Sequence, residues 1–346
     1  MDKPGKHTKK EILSQPEVWA ETLKTIRSQA NGLQKYIKTG DYRLVLFTGC
    51  GSTYYLSLAA AALFQELVGI PALGVPASEI WLSPASVHPS TLKALMVAIS
   101  RSGETTETLE ACMAFHKRDK GDIMTLSCCP GAALTKAGDI NLVFPEAREQ
   151  SVAQTRAFSS LYLATTALST LWAGRDDLLD SLSNLPEICQ RLVDRYASLA
   201  QQFGSNSSID RFYILGSGSR YGLACELSLK MKEMSLSHSE PFHFMEFRHG
   251  PKSMVTAGTL VIGLVSSINY RQEAAVLDDV RRLGGQTLTI GEDRADVVFS
   301  SGLDVVVRNI LYLPVGQLLA FERAVSKGLD PDRPHNLDKV VKLTQE

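Results

Sequence analysis

The chain has 346 residues, of which 44% are hydrophobic, and its 36 Lys and Arg balance 37 Asp and Glu to a formal net charge of −1. This length is too great for one ordinary core and favours two domains of roughly 150 residues each. A near-neutral chain lacks the general basic field of nucleic-acid-binding proteins, so no nucleic-acid partner is expected and any attraction for an anion must be local.

The first segment in chain order, residues 1–30, is predicted to be helical. Residues 1–10 are polar and basic and lack the apolar run of a secretory signal. A leading helix is expected over residues 6–30, with Pro16 near its first turn. No stretch of the chain approaches the roughly 18 apolar residues of a membrane span, so a cytoplasmic protein without membrane contact is expected.

An internal duplication organises most of the remaining chain. Residues 44–66 are LVLFTGCGSTYYLSLAAAALFQE, and residues 211–233 are RFYILGSGSRYGLACELSLKMKE. Each copy has an apolar strand, a Gly-x-Gly-Ser turn, a Tyr, and a helix that ends on Glu. Further strands and helices are predicted at matching places: 94–100, 105–118 and 122–127 in the first copy, and 259–267, 270–283 and 286–290 in the second.

Short apolar strands that alternate with helices are typical of parallel sheets covered on both faces. The predicted fold is therefore α/β, with two doubly wound parallel-sheet domains related by the duplication. The expected segments are a helical leader (1–30), a first domain (31–174), a charged, Leu-spaced connecting helix (175–205), a second domain (206–328) and a tail (329–346). The tail is predicted to end in a short extended or helical stretch.

Hydroxyl side chains cluster after a buried strand of the first copy, where residues 100–105 are Ser-Arg-Ser-Gly-Glu-Thr. Doubly wound sheets bind ligands at the carboxyl ends of strands, and helix N-termini favour anions. Ser52 and Thr53 at the first glycine turn would add two more hydroxyls. Helix capping would account for one hydroxyl, whereas five from two loops favour phosphate binding.

Nucleotide binding is the rival interpretation of these loops. The chain contains no G-x-x-x-x-G-K-[ST] motif, which argues against a P-loop. The turn at 49–51 resembles only the start of a dinucleotide fingerprint, because Tyr54 occupies the position of the third glycine.

Six cysteines give no sign of a metal site or of a disulfide framework. None forms a C-x-x-C pair, and no Cys/His group has zinc-finger spacing, so no metal is expected. The vicinal Cys128-Cys129 pair follows the strand predicted at 122–127. We predict two buried, reduced thiols there rather than a redox switch.

The two copies differ along the helix that follows the glycine turn. Spacing of i, i+4 and i+7 places the differing positions on one helical face. Ala59, Leu63 and Glu66 of the first copy correspond to Glu226, Lys230 and Glu233 of the second. An ordinary solvated Glu–Lys pair has the same spacing, so the spacing alone leaves a structural and a functional interpretation open.

The segment after this helix favours the functional interpretation. Residues 238–252, HSEPFHFMEFRHGPK, are dense in His, Glu and Arg. The rigid turn at 249–251 would hold His249 in one geometry as an acid/base group, although a lone histidine is more often structural.

Taken together, these segments resemble the double-domain form of the sugar isomerase (SIS) family over nearly the whole chain, and in particular the isomerase half of glutamine–fructose-6-phosphate amidotransferase. The shared segments are His7-Thr8-Lys9-Lys10-Glu11 with Gln15-Pro16, Cys50-Gly51-Ser52-Thr53, Ser100-x-Ser-Gly-Glu-Thr105, Val152-Ala153-x-Thr155-Arg156-Ala157-Phe158, Leu229-Lys230-Met231-Lys232-Glu233, His249-Gly250-Pro251 and Pro334-x-Asn336-Leu337-x-Lys339. Residues 247–253, 265–267 and 270–272 are instead similar to the galactosamine-6-phosphate deaminase/isomerase branch, also named tagatose-6-phosphate ketose/aldose isomerase.

The resemblance implies an enzyme without cofactor or metal that moves a proton between C1 and C2 of a hexose or hexosamine 6-phosphate. It also implies a homodimer with shared active sites. By the same resemblance, the phosphate is bound by Ser52, Ser100, Ser102 and Thr105, and the sugar is contacted by Thr53, the backbone from Val152 to Gln154, and Lys339. Glu233 is implied to transfer the proton, and Lys230 to support the enediolate. His249 of the partner subunit is implied to open the sugar ring. Arg101 departs from the amidotransferase pattern, and either adds charge near the phosphate or points to solvent. Glu226 has no implied role beyond lining the site.

The reaction type stays open among related alternatives. The chain begins Met1-Asp2-Lys3, without an N-terminal cysteine nucleophile or a glutaminase domain. Deamination or plain aldose–ketose isomerisation is therefore expected rather than amino-sugar synthesis. The alternatives are a fructosamine-6-phosphate deglycase, and a non-catalytic sugar-phosphate sensor that has lost its acid/base residues.

Overall fold

Two five-stranded parallel sheets form the framework of the protein, as the duplication predicted. The computed structural model describes residues 3–89, 91–118 and 121–343. In chain order the strands are β1 (Leu44–Gly49), β2 (Ala72–Pro76), β3 (Ala94–Ser100), β4 (Asp122–Ser127), β5 (Ile140–Val143), β6 (Arg211–Leu215), β7 (His238–Phe242), β8 (Thr259–Leu264), β9 (Gln286–Gly291) and β10 (Val297–Val298). The first sheet has the order β2-β1-β3-β4-β5 and the second β7-β6-β8-β9-β10, with all neighbours parallel.

The helices cover both faces of these sheets. They are α1 (Lys6–Leu13), α2 (Gln15–Gly40), α3 (Ser52–Val68), α4 (Ala77–Leu82), α5 (Pro84–Val87), α6 (Thr106–Arg118), α7 (Arg156–Ala173), α8 (Asp176–Ser181), α9 (Leu185–Gly204), α10 (Arg220–Ser235), α11 (Tyr270–Arg282), α12 (Val305–Arg308) and α13 (Leu313–Ser326). The doubly wound α/β fold predicted from the sequence is confirmed, with the same strand order in both copies.

The central strands are the most apolar, because both of their faces are covered. Every residue of β1, β3 and β8 is buried. The edge strand β2 contains Gly and Pro, and β7 contains Pro and polar residues; both are largely half-buried, and β10 has only two residues. These edge strands were not predicted, since Gly and Pro in β2, polar residues in β7 and the shortness of β10 are not typical of buried strands.

The helical leader and the connecting helix both differ from the prediction. The leader breaks at Ser14 into α1 and α2, and Pro16 is the second residue of α2, where its missing N–H costs no hydrogen bond. The predicted helix over 175–205 consists of α8, a 3-10 turn at Leu182–Asn184 and α9.

The described part of the tail forms turns and irregular backbone instead of a short strand or helix.

The chain forms two compact units, each made of three segments. The first-sheet unit comprises Glu17–Glu149, Arg156–Ser183 and Asp338–Glu346, and the second-sheet unit comprises Met1–Pro16, Gln150–Thr155 and Asn184–Leu337. In the first-sheet unit α3 packs on α7, and the fully buried Trp19 donates its indole N–H to Ser159 at 2.9 Å. In the second-sheet unit α13 packs on α9 and α10.

One stretch of the second-sheet unit, Val305–Ser326, is long and apolar enough to cross a membrane by length and composition alone. Within the fold 83% of its apolar window is buried inside the protein, so α12 and α13 supply core residues.

Candidate active site

The predicted phosphate loop lies at the point of the first sheet where the chain direction reverses. β1 and β3 are neighbours, and their connections leave toward opposite edges of the sheet, which is where doubly wound sheets bind ligands. The two strands end at Gly49 and Ser100. A Cβ atom on Gly49 would lie 2.4 Å from Thr53 Oγ1 and 2.8 Å from the Ile99 carbonyl oxygen, so glycine is needed for the two loops to approach each other.

The hydroxyls of these loops are partly committed to the loops themselves. The Ser100 and Thr105 hydroxyls are 3.2 Å apart, and Ser100 Oγ accepts a hydrogen bond from the Gly103 N–H. Ser102 Oγ accepts from the Glu104 N–H at 3.2 Å. Ser100 is buried, whereas Ser102 and Thr105 are half-buried. We call Ser52, Ser100, Ser102 and Thr105 the hydroxyl cluster.

The first glycine turn contributes two residues with different roles. Ser52 is the buried first residue of α3, where the helix presents free N–H groups. The Thr53 hydroxyl donates to the Cys50 carbonyl and accepts from the Cys50 N–H, both at 2.9 Å. Thr53 therefore closes the turn, and its predicted contact with a sugar stays a prediction.

Arg101 neither points to solvent nor lies free beside the hydroxyls. Its side chain is 7% exposed and pairs with the completely buried Glu149 at 3.3 Å. Arg101 also donates to the Lys339 carbonyl at 3.1 Å, and Lys339 Nζ donates to the Glu149 carbonyl at 2.6 Å. The solvent alternative for Arg101 was wrong. Glu149, which holds both Arg101 and the tail in place, was not predicted from the sequence.

In the second-sheet unit, the three ionisable residues of α10 form one buried cluster. Lys230 Nζ lies 3.2 Å from Glu226 Oε1 and also donates to Glu233. Glu226 and Lys230 are completely buried, and Glu233 is 19% exposed. The predicted common face is confirmed, and the interpretation as a solvated surface pair was wrong. We call these residues the ionic triad.

The electrostatics of the ionic triad favour a charged lysine. Burial alone would lower the pKa of Lys230, but the charges of Glu226 and Glu233 and their hydrogen bonds outweigh it and raise the pKa above its ordinary value. Lys230 is therefore a fixed cation beside a carboxylate that reaches the surface.

The segment predicted to contact a sugar, residues 152–154, is held by Glu11 and Asp332 of the same unit. Glu11 accepts hydrogen bonds from the Gln150 N–H at 2.5 Å and from the Ser151 hydroxyl. The Asp332 carbonyl accepts from the Val152 N–H at 3.0 Å. The contacts of Glu11 give it a structural role that could not be inferred from sequence spacing.

Gln154 contributes an unused acceptor to this segment. Within the described residues, its buried Oε1 accepts no hydrogen bond. An unsatisfied buried acceptor in a native fold calls for an explanation, and a ligand donor is one.

His249 follows a single 3-10 turn, Glu246–Arg248, and precedes Gly250, whose φ is 124°. Its side chain is exposed, and none of the described residues forms a hydrogen bond with its ring. Its predicted role therefore stays a prediction.

A buried ion pair lies at the corresponding place in the second sheet. Arg220 and Glu273 form a buried pair at 2.8 Å, in which Glu273 Oε2 also accepts from the Ser266 N–H at 2.7 Å. The carboxylate thus occupies the loop after β8, at the place where the first copy has its hydroxyl cluster after β3.

The comparison with protein families agrees with this geometry. The SIS domain model matches residues 41–171 and 207–300, which together are more than half of the chain. The chain belongs to the SIS domain family. Both matched ranges contain one of the two glycine turns, so the resemblance inferred from the sequence is confirmed.

This SIS protein is similar to larger curated relatives. Glutamine–fructose-6-phosphate aminotransferase (isomerizing) of Methanothermobacter thermautotrophicus is 29% identical over 346 residues, which cover 96% of this chain and 56% of that protein. The Pseudomonas putida enzyme of the same name is 31% identical, over 96% of this chain and 58% of that protein. The chain spans a little over half the length of these relatives.

Solved structures show the same fold. Glucosamine-6-phosphate deaminase of Thermotoga maritima is 29% identical with a TM-score of 0.76, over 93% of this chain and 100% of that one. Tagatose-6-phosphate ketose/aldose isomerase of Escherichia coli, 21% identical, matches with a TM-score of 0.84 over 97% of this chain and 98% of that one.

Proposed function

We propose that this SIS protein is a hexosamine-6-phosphate deaminase/isomerase or an aldose–ketose isomerase that transfers a proton between C1 and C2 of a sugar 6-phosphate. The observation that carries the proposal is the ionic triad, in which a buried lysine supports one partly exposed carboxylate, Glu233. An ion pair with a purely structural role does not need a carboxylate that is exposed at the surface. A general base does, because it must reach its substrate.

The chemistry follows from these groups. Glu233 would take the proton from the carbon next to the open-chain carbonyl and return it to the neighbouring carbon. Lys230 would stabilise the negative charge of the enediolate, since a buried cation interacts strongly in a site of low polarity. In the deaminating reaction, proton transfer from C2 to C1 of the amino sugar leaves an imine at C2, and water then releases ammonia and the ketose phosphate.

The hydroxyl cluster would bind the phosphate. Ser52 begins α3 and Thr105 directly precedes α6, so the phosphate oxygens would meet hydroxyls together with the N–H groups of helix N-termini. The unused Gln154 Oε1 would accept a hydrogen bond from a sugar hydroxyl. Thr53, Arg101, Val152 and Lys339 complete the substrate contacts that we propose.

The proposed assembly is a cytoplasmic homodimer with shared active sites. The exposed His249 supports this arrangement, because a side chain without partners in its own described chain is available to a second copy. His249 of the partner subunit would open the sugar ring by acid/base catalysis.

The decisive experiment uses Glu233→Gln. Glucosamine 6-phosphate, galactosamine 6-phosphate and tagatose 6-phosphate are incubated with the protein in ²H₂O, and ammonia, ketose phosphate and deuterium at C1 or C2 are measured. We expect the variant to lose turnover by about 10²–10⁴-fold, the usual contribution of a general base. Its dissociation constant for the phosphosugar should change less than about threefold.

The matched control is Glu240→Gln, which removes a half-buried carboxylate on β7 of the same unit and should keep wild-type turnover. Wild-type turnover by Glu233→Gln would overturn the proposed mechanism. Binding of phosphosugars without turnover by the wild-type protein would identify a sensor instead.

A further inference from the structure

A pocket lies beside the hydroxyl cluster, within the first-sheet unit. It has a volume of about 370 Å³ and is located between the loops that follow β3 and β4. Its wall includes Arg101 and Ser102 from one loop and residues 128–132 from the other, together with Arg148 and Lys339. Ser102 of the hydroxyl cluster lines this pocket, whereas Ser52, Ser100 and Thr105 do not, so the pocket adjoins the proposed phosphate position.

The charges around the pocket are unequal. Its wall contains the cations Arg101, Arg148 and Lys339 and the carboxylates Glu104 and Glu149. Both carboxylates already accept hydrogen bonds from other groups of the protein. Glu149 pairs with Arg101 and accepts from the Ala157 N–H at 3.2 Å, while Glu104 accepts from the Ala133 N–H at 2.8 Å. Among the described residues, no carboxylate pairs with the exposed Arg148 guanidinium. The wall therefore presents an excess of positive charge.

We propose that this pocket binds a carboxylate, with Arg148 as its principal partner. The planar guanidinium matches a carboxylate through two parallel hydrogen bonds, and Lys339 adds a further positive charge. The volume lies near the lower limit for small-molecule sites, which suits a group the size of an amino acid.

The carboxylate has two chemical sources. It can belong to an amino-acid substituent on the sugar phosphate itself, in which case the inference rests on the proposed function. It can also belong to a free amino acid or acyl amino acid that binds beside the sugar phosphate. The two sources make different predictions for matched ligands.

The experiment is a calorimetric titration of the wild-type and Glu233→Gln chains. The first two ligands are the 6-phosphates of fructosylglycine and fructosylglycinamide, which differ in one carboxylate. The third ligand is N-acetylglycine, added with and without glucosamine 6-phosphate. If the carboxylate belongs to the substrate, fructosylglycine 6-phosphate should bind at least about tenfold more tightly than the amide, and Arg148→Gln should reduce this ratio below about twofold.

Arg43→Gln is the matched control, since Arg43 belongs to the same unit, is 70% exposed and lies next to Asp41 instead of the pocket. It should retain the full preference for the carboxylate. If the carboxylate belongs to a free molecule, N-acetylglycine should bind to the wild-type chain and lose this binding in Arg148→Gln. The two fructosyl ligands should then bind with equal affinity.

Equal binding of the two fructosyl ligands without binding of N-acetylglycine would overturn the pocket assignment and leave the proposed function standing. Arg148-dependent binding of N-acetylglycine without phosphosugar binding would support the pocket and overturn the proposed function. A carboxylate preference that persists in Arg148→Gln would also overturn the assignment.

Discussion

Glu226 and Lys230 form an ion pair of 3.2 Å in which neither side chain is exposed to solvent. The matching positions of the first copy are Ala59 and Leu63, both buried, so the same fold accommodates apolar residues there. Removing two charges from water is costly, and well-packed apolar residues are often equally stable. The ionic triad therefore needs a reason beyond packing, and the proton transfer that we propose for Glu233 would provide one.

The first prediction concerns the stability of the triad. Lys230→Met should destabilise the protein by about 3–5 kcal/mol, because Glu226 is left as an uncompensated buried carboxylate. The double variant Glu226→Met/Lys230→Met should recover most of this loss. Urea unfolding, followed by circular dichroism, measures the shift of the transition midpoint.

The exposed Glu187–Arg191 pair provides the control. It has the same i, i+4 spacing and a distance of 2.9 Å, but its side chains are 80% and 56% exposed. Arg191→Met should change stability by less than about 1 kcal/mol. Equal effects of the Lys230 and Arg191 substitutions would contradict the argument from burial.

The second prediction concerns alkaline pH. Burial opposes the charge of Lys230, but Glu226 and Glu233 raise its pKa above the ordinary 10.5. The stabilisation from its charged form is therefore complete below pH 10.5 and is lost as the pH rises through the higher folded-state pKa. The difference in melting temperature between wild type and Lys230→Met should stay constant from pH 8 to pH 10 and decrease above that range. A difference that falls between pH 8 and pH 10 would mean that the folded-state pKa is lowered.

The central strands were predictable from local pattern. β3 and β4 have the predicted bounds, and α6 begins one residue later than expected, because continuous apolar runs between helices define buried parallel strands. The break of the leader at Ser14 was not predicted, because Pro16 is compatible both with a first turn and with a new helix.

The site was predictable only where its residues lie close in sequence. The i, i+4, i+7 spacing on α10 correctly placed the triad on one face. Arg101 and Glu149, in contrast, are 48 residues apart, and no local pattern shows that two distant charges are buried together. The same limit applies to the buried ion pair of the second sheet, because Arg220 and Glu273 meet only in the folded chain.

The third prediction concerns Gly103, which lies in the loop after β3 between Ser102 and Thr105 of the hydroxyl cluster. Gly103 has a φ of 68°, and a Cβ atom there would lie 2.6 Å from the Ala132 Cβ. Gly103→Ala should therefore displace the loop and raise the dissociation constant for a sugar 6-phosphate by at least about tenfold, since hydrogen bonds to a charged ligand depend on geometry. Isothermal titration calorimetry measures this change.

Gly174 separates the steric effect from backbone strain. It has a φ of 66°, belongs to the same unit, and a Cβ atom there would meet no described atom within 4 Å. Gly174→Ala should cost about 1–2 kcal/mol of stability from the left-handed conformation and leave phosphosugar affinity unchanged. Equal loss of affinity in both variants would show that contact with Ala132 is unimportant.

The fourth prediction distinguishes the cysteines. Cys128 is buried as predicted, whereas Cys129 is half-buried on the wall of the pocket beside the hydroxyl cluster, so the expectation of two buried thiols was wrong for Cys129. Burial raises the pKa of Cys50 to about 11 and those of Cys112 and Cys225 to about 12, and it also raises the pKa values of Cys128 and Cys189.

Because the thiolate is the reactive species, these five residues should react slowly with iodoacetamide at pH 8. Cys129 should be alkylated first, which fragmentation of the tryptic peptide containing both vicinal residues can measure. In Cys129→Ser the fast phase should disappear, while Cys128→Ser should retain it. Fast alkylation of Cys50 or Cys225 in the folded protein would contradict this order, because it would require the buried thiols to ionise near neutral pH or the surrounding helices to open readily.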